Sequence, residues 1–228
     1  IKRFTTRDGQ PSGTFSFKGK VNQAPVQLQL DTVQITPELR LGGKIVVADF
    51  KLNDLGRMLQ NVLDPFEGVA GLDGALQFSM SDAEGMALDY DGAITLATAA
   101  IGNSAFTTQA QDMSWKGKVL YGAPSAGPML VKTDGVLSAN GYGLQLPGPE
   151  LSMKESVIEL AGKTTVTIAD GVVVENDGSL LVEGYEMQLP SMTISEDSLM
   201  WKGEVAYHSS YQGGGQFIDS DGKLDLGK

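Results

Sequence analysis

Hydrophobic residues recur at every second position along much of this chain. Val26, Leu28 and Leu30 alternate with Gln27, Gln29 and Asp31, and Ile45 and Val47 continue the pattern. Over 72–100 the same alternation runs through Leu76, Phe78 and Met80, then Met86, Leu88 and Tyr90, then Ile94 and Leu96. A period of two puts one set of side chains on one face of a strand and the other set on the opposite face, so it predicts half-buried strands. Pro25 and Pro37 fall where strands begin or turn, because proline cannot donate to a central ladder. One segment keeps a different period. Leu55, Met58, Leu59 and Val62 stand at i, i+3, i+4 and i+7, which predicts a short helix at about 53–63, capped by Asn53 or Asp54 and ended by Asp64-Pro65.

A longer period lies over the short one. Asp91-Gly92, Asp134-Gly135 and Asp177-Gly178 fall 43 residues apart, and Asp221-Gly222 follows at 44. Asp134-Gly135 leads to Gly141-Tyr142 and Gln145-Leu146-Pro147; Asp177-Gly178 leads at the same offsets to Gly184-Tyr185 and Gln188-Leu189-Pro190. Repeats of this length are stacked supersecondary units that bury their apolar faces together. The fold class expected is all-β: an extended, curved antiparallel sheet of repeated units of about 43 residues over 91–221, with the one short helix. Asp-Gly is the residue pair of a type I′ hairpin turn, so Gly135, Gly171 and Gly178 are expected at positive φ in tight turns. The stretch 122–128 holds two prolines and two glycines and is the expected join between an N-terminal β region (1–122) and a C-terminal β-repeat region (123–228), within one continuous sheet.

The sharpest pattern recurs at twice the period. Trp115, Val119 and Tyr121, with Gly117 among them, return as Trp201, Val205 and Tyr207 with Gly203. Each set shares one strand parity, so Trp115 and Trp201 are expected on the same face of the sheet, two units apart. The two stripes are either closed core or the lining of an apolar groove, and the spacing alone admits both.

Composition narrows the chemistry. Lys and Arg number 17 against 28 Asp and Glu, a net charge of −11, which disfavours a nucleic-acid partner because phosphate contacts need clustered cations. There is no cysteine, hence no disulfide, zinc-thiolate site or thiol nucleophile. No run of 18 apolar residues predicts a membrane-spanning helix. The chain opens at Ile1, so it is expected to be a mature or excised fragment of a longer protein. Asp219-Ser220-Asp221-Gly222 has the opening of a calcium loop but lacks its distal glutamate, and a hairpin turn is expected there instead. His208, the sole histidine, is expected as an exposed strand-end residue. No nucleophile elbow, P-loop or dinucleotide fingerprint is present, and the expectation is a non-enzyme without cofactor or metal.

The apolar strand and helix segment "KIVVADFKLNDLGRMLQNVLD", the strands "LDGALQFSM" and "DYDGAITLA", and "GYEMQLPSMTISEDSLMWKGEVAY" resemble, over about residues 13–207, the AsmA-like proteins of the Gram-negative envelope, a group that includes the N component of type II secretion. The resemblance implies a periplasmic protein, membrane-anchored in its full length, whose curved sheet forms a hydrophobic groove for lipid transport or outer-membrane biogenesis. On that reading Trp115, Val119, Tyr121, Trp201, Val205 and Tyr207 line a groove for phospholipid or another envelope lipid. Envelope proteins are further expected partners. The competing expectation is a structural or adhesive β-repeat module that binds protein or glycan through exposed aromatics such as Tyr142, Tyr185 and Tyr211.

Overall fold

The computed structural model describes residues 3–7, 10–35, 38–54, 64–148, 150–169, 171–209 and 217–227. They form twelve strands in chain order: β1 (Arg3–Arg7), β2 (Gln10–Val21), β3 (Ala24–Gln34), β4 (Leu39–Lys51), β5 (Phe66–Ser81), β6 (Gly85–Gly102), β7 (Thr107–Ala123), β8 (Met129–Leu146), β9 (Leu151–Ile168), β10 (Val172–Leu189), β11 (Met192–His208) and β12 (Phe217–Gly227). Each pairs antiparallel with the next, so the twelve make one sheet in sequential order, a meander. The expected join at 122–128 is the β7–β8 connection, and the sheet runs through it unbroken. The expected helix falls on residues that lie outside the description, apart from a 3-10 turn at Leu52–Asp54.

The 43-residue period is one hairpin. β6, β8, β9 and β10 are each 18 residues long, about 60 Å at the usual rise per residue. An up-strand, a down-strand and their loops therefore consume one period. Between β6 and β12 no bulge shifts the register, so equivalent positions of each hairpin fall into continuous rows across the sheet.

The connections are short. At the β2–β3 hairpin, Val21 pairs with Ala24, and Asn22 and Gln23 take φ of 45° and 68°. Both signs are those of a type I′ turn, where glutamine is a poor occupant of the second position. Gln23→Gly removes a left-handed cost of about 1–2 kcal/mol while adding about 0.5–1 kcal/mol of unfolded-chain entropy. A net gain of about 0.5–1 kcal/mol is expected, read as a small rise in melting temperature.

Asp134-Gly135 and Asp177-Gly178 do not turn the chain. Gly135 and Gly178 sit in mid-strand, in β8 and β10, and φ is positive at neither. The turn expected at Gly178 is instead the middle of one long β10. Asp219–Gly222 likewise lies inside β12 rather than in a hairpin turn. The β9–β10 reversal does fall at 169–171, where the Ala169 amide donates to the Gly171 carbonyl at 3.0 Å.

Among the described residues the sheet has no second layer. Substantial packing occurs only between strands adjacent in sequence, besides the 3-10 turn against β5. The accessible surface is 14515 Å² for 24.1 kDa, against about 10,000 Å² for a compact protein of that mass. Among the described residues, the fully buried apolar side chains are few and mostly small, such as Ala24, Ala99, Ala110 and Ala139.

Candidate functional site

Directly opposed residues of an antiparallel pair share a face, so the register assigns the faces. One row runs Val26, Val47, Leu72, Ile94, Trp115, Leu137, Leu160, Leu180, Trp201 and Leu224, one residue from each of β3 to β12. Trp115 and Trp201 thus stand on the same face and in the same row, four strands apart, a separation of about 19 Å. Two residues along β5 to β12 lies a row of glycines, and beyond it runs Leu76, Tyr90, Val119, Thr133, Thr164, Asn176, Val205 and Ser220, polar between Val119 and Val205. The next row runs Leu41, Phe78, Leu88, Tyr121, Val131, Val166, Val174, Tyr207 and Ile218. The register therefore brings the six expected residues onto one apolar face, as two equivalent triads in three rows. All six are half-buried.

The opposite face carries the charged residues, with exposed Leu120, Val136 and Met200 among them. Asp91, Lys118, Asp134, Lys163 and Asp177 follow one another across β6–β10 with alternating sign, and Glu204 and Asp221 complete the row. Ion pairs on this face, such as Lys44–Asp73 at 2.9 Å and Lys118–Asp89 at 3.0 Å, lie at the surface and contribute little stability. A hollow of about 1100 Å³ opens over β4–β8, lined largely by this face through Lys44, Gln77, Asp89 and Lys132. A smaller one of about 330 Å³ lies over β9–β12 beside Lys163, Glu175, Asp177 and Glu204. Of the six expected groove residues, Tyr121 borders the first and Val205 the second. The six mark an open strip and do not together line either hollow.

Between the two apolar halves the glycine row is continuous over eight strands: Gly74, Gly92, Gly117, Gly135, Gly162, Gly178, Gly203 and Gly222, each opposite the next. Gly117, Gly162 and Gly203, on alternate strands, take φ of 153°, 139° and 155°. A Cβ on Gly162 would lie 2.3 Å from the Asp177 carbonyl oxygen and 2.6 Å from the Gly178 Cα. The backbones approach so closely that no side chain fits. Aromatic rings cover parts of the row: Tyr90 lies against Gly74, and the Trp201 indole against Gly222. The Tyr90 hydroxyl donates to the Ala93 carbonyl at 2.8 Å, and burial pushes its pKa up. Its ring also meets Trp115, with centroids 6.4 Å apart.

Sequence reasoning missed two features. The first is a second row of special backbone: Thr98, Gly141 and Gly184 take φ of 50°, 58° and 61° on β6, β8 and β10, where the ladders are interrupted. Past this level the apolar alternation restarts on the other parity, at Tyr142 and Leu144 on β8 and at Tyr185 and Met187 on β10. The second is Glu155, which stands opposite Tyr142 and is 5% exposed, with no hydrogen-bond partner for Oε2. Burial raises its pKa above the usual carboxylate value. Tyr185 is raised too, by burial and then by the Glu155 charge, and its hydroxyl donates to the Met187 sulfur at 3.3 Å. The signal was present: Leu151, Met153 and Glu155 share one parity, so a carboxylate occupies an apolar position.

Tyr142 and Tyr185 are half-buried rather than exposed, and Tyr211 lies outside the described residues. His208 ends β11 but is half-buried, stacked on Phe217 with ring centroids 4.3 Å apart. Among the described residues no three His, Asp or Glu side chains converge as a metal site, and no helix is long and apolar enough to cross a membrane. Comparison with family models, with curated proteins and with solved structures finds no match.

Proposed function

We propose that this chain is a non-enzymatic envelope module that holds or passes lipid acyl chains along the apolar face of its sheet, in outer-membrane biogenesis or secretion. The observation that supports it is a face with apolar rows crossing up to ten strands and, among the described residues, no second layer over them. An exposed contiguous apolar patch beyond a few hundred Å² marks a site where something binds. Burial supplies the affinity, at about 25 cal/mol per Å² of apolar surface removed from water. The glycine row contributes by leaving a strip without side chains of its own between the Trp115–Trp201 row and the row of Val119 and Val205, covered in part by the Tyr90 and Trp201 rings. The resemblance to AsmA-like proteins favours a periplasmic location and a phospholipid as the ligand.

The test is native mass spectrometry and lipid extraction of protein purified from a Gram-negative periplasm. Co-purified phospholipid is expected. Val119→Asp, in the strip's flanking row, should reduce it at least tenfold, whereas Lys118→Gln, on the polar face, should leave it unchanged. Wild-type protein that carries no lipid, or equal lipid in both variants, overturns the proposal.

A further inference from the structure

We propose that Glu155, between Tyr142 and Tyr185, is the seat of a primary ammonium headgroup, so that the lipid held on this sheet is an amine-bearing one. The inference rests on the lipid reading above and names the polar end of that ligand. Tyr142 of β8 stands opposite Glu155 of β9. Tyr185 of β10 follows by register, between the pairs Glu183–Val157 and Glu186–Lys154, and stands opposite Glu196 of β11. Tyrosine and glutamate therefore alternate across four strands. The row two residues further along is apolar, with Leu144, Met153, Met187 and Ile194.

This row has acids and no cation. Lys154 has the other strand parity and meets Glu186, and among the described residues neither Glu155 nor Glu196 forms an ion pair. Glu155 is 5% exposed and its Oε2 has no hydrogen-bond partner. A buried acceptor without a donor is costly, and folded proteins nearly always supply one. The Tyr185 hydroxyl does not supply it, because it donates to the Met187 sulfur at 3.3 Å. The Glu155 charge nevertheless raises the Tyr185 pKa, so the two groups are close. What is missing is a donor that also carries positive charge, and a primary ammonium is both. Tyr142 and Tyr185 stand two strands apart, about 10 Å. A cation over Glu155 therefore lies within about 6 Å of each ring, the range of cation–π attraction. With no second layer among the described residues, Glu155 is covered only by its neighbours in the sheet, and a headgroup reaches it by displacing a tyrosine ring. A quaternary ammonium can meet the rings but has no N–H for Oε2, which sets the selectivity.

Calorimetric titration of the delipidated full chain tests it, with short-chain phosphatidylethanolamine and phosphatidylcholine of the same acyl chains, each below its micelle concentration. Both headgroups are zwitterionic, so the protein's charge of −11 acts on both alike. Phosphatidylethanolamine is expected to bind at least tenfold more tightly. Glu155→Gln keeps the shape without the charge and should bring the ratio close to one. Tyr142→Leu should lower the ratio, and Tyr142→Phe should preserve it. Far-UV circular dichroism confirms the fold of each variant. Free ethanolamine, which lacks acyl chains, is expected not to compete. Equal affinity for the two lipids, or a ratio that survives Glu155→Gln or Tyr142→Leu, overturns the ammonium seat and leaves the acyl-chain reading standing. Binding of neither lipid overturns both. Competition by free ethanolamine at the concentrations where the lipid binds overturns a lipid as the source of the ammonium.

Discussion

Gly162→Val is expected to destabilise this protein by about 2–5 kcal/mol, among the largest effects any single substitution here should have. Two costs add. The φ of 139° is a left-handed conformation, worth about 1–2 kcal/mol against a residue with a Cβ. The new Cβ would also lie 2.3 Å from the Asp177 carbonyl oxygen and 2.6 Å from the Gly178 Cα. Those are backbone atoms on the neighbouring strand, so β9 and β10 must separate, and overpacking of that kind adds about 1–3 kcal/mol. A fall of about 4–20 °C in melting temperature follows for a chain of this length. Gly122→Ala is the control, because a Cβ there meets nothing within 4 Å; its change should stay within about 0.5 kcal/mol. Equal melts for the two variants would show that the row is not closely packed.

The same row shows where the sequence is legible and where it misleads. Asp-Gly is a hairpin signal only if the alternation reverses around it. On β10 the set Val172, Val174, Asn176, Gly178, Leu180 and Val182 keeps one parity straight through Gly178, so the strand continues. The period-two pattern carried the information, and the dipeptide preference competed with it. The strand class, the repeat length and the shared face of Trp115 and Trp201 were all readable, because alternation and a fixed 43-residue spacing determine register between equal hairpins. The purpose of the glycines was not readable, because close approach of two backbones is a property of opposed residues. Only the register shows that Gly117, Gly135, Gly162 and Gly178 face one another.

The open apolar face follows from the topology. Among the described residues the meander carries no second layer, so its apolar rows end in solvent or in contact with something else, and the proposed cover is acyl chain.

Glu155 supplies a pH dependence with a definite sign. Its carboxyl is 5% exposed, lacks a partner for Oε2, and has its pKa raised by burial. Below the unfolded-state pKa, near about 4.3, both states hold the proton and Glu155 contributes no pH-dependent term. As pH rises through that value the unfolded chain loses its proton while the native state keeps it. The unfolded state then binds fewer protons, so stability falls with rising pH until the native pKa is passed. Glu155→Gln removes the titration. Its stability relative to wild type should therefore rise between pH 4 and pH 8. Comparing each protein across pH cancels whatever the buried amide itself costs. Glu155→Leu should show the same pH-dependent gain, since Leu151 and Met153 hold the same strand parity. Parallel melting profiles for wild type and Glu155→Gln from pH 4 to pH 8 would mean that Glu155 reaches water or a partner, and that the sheet is not closed over it.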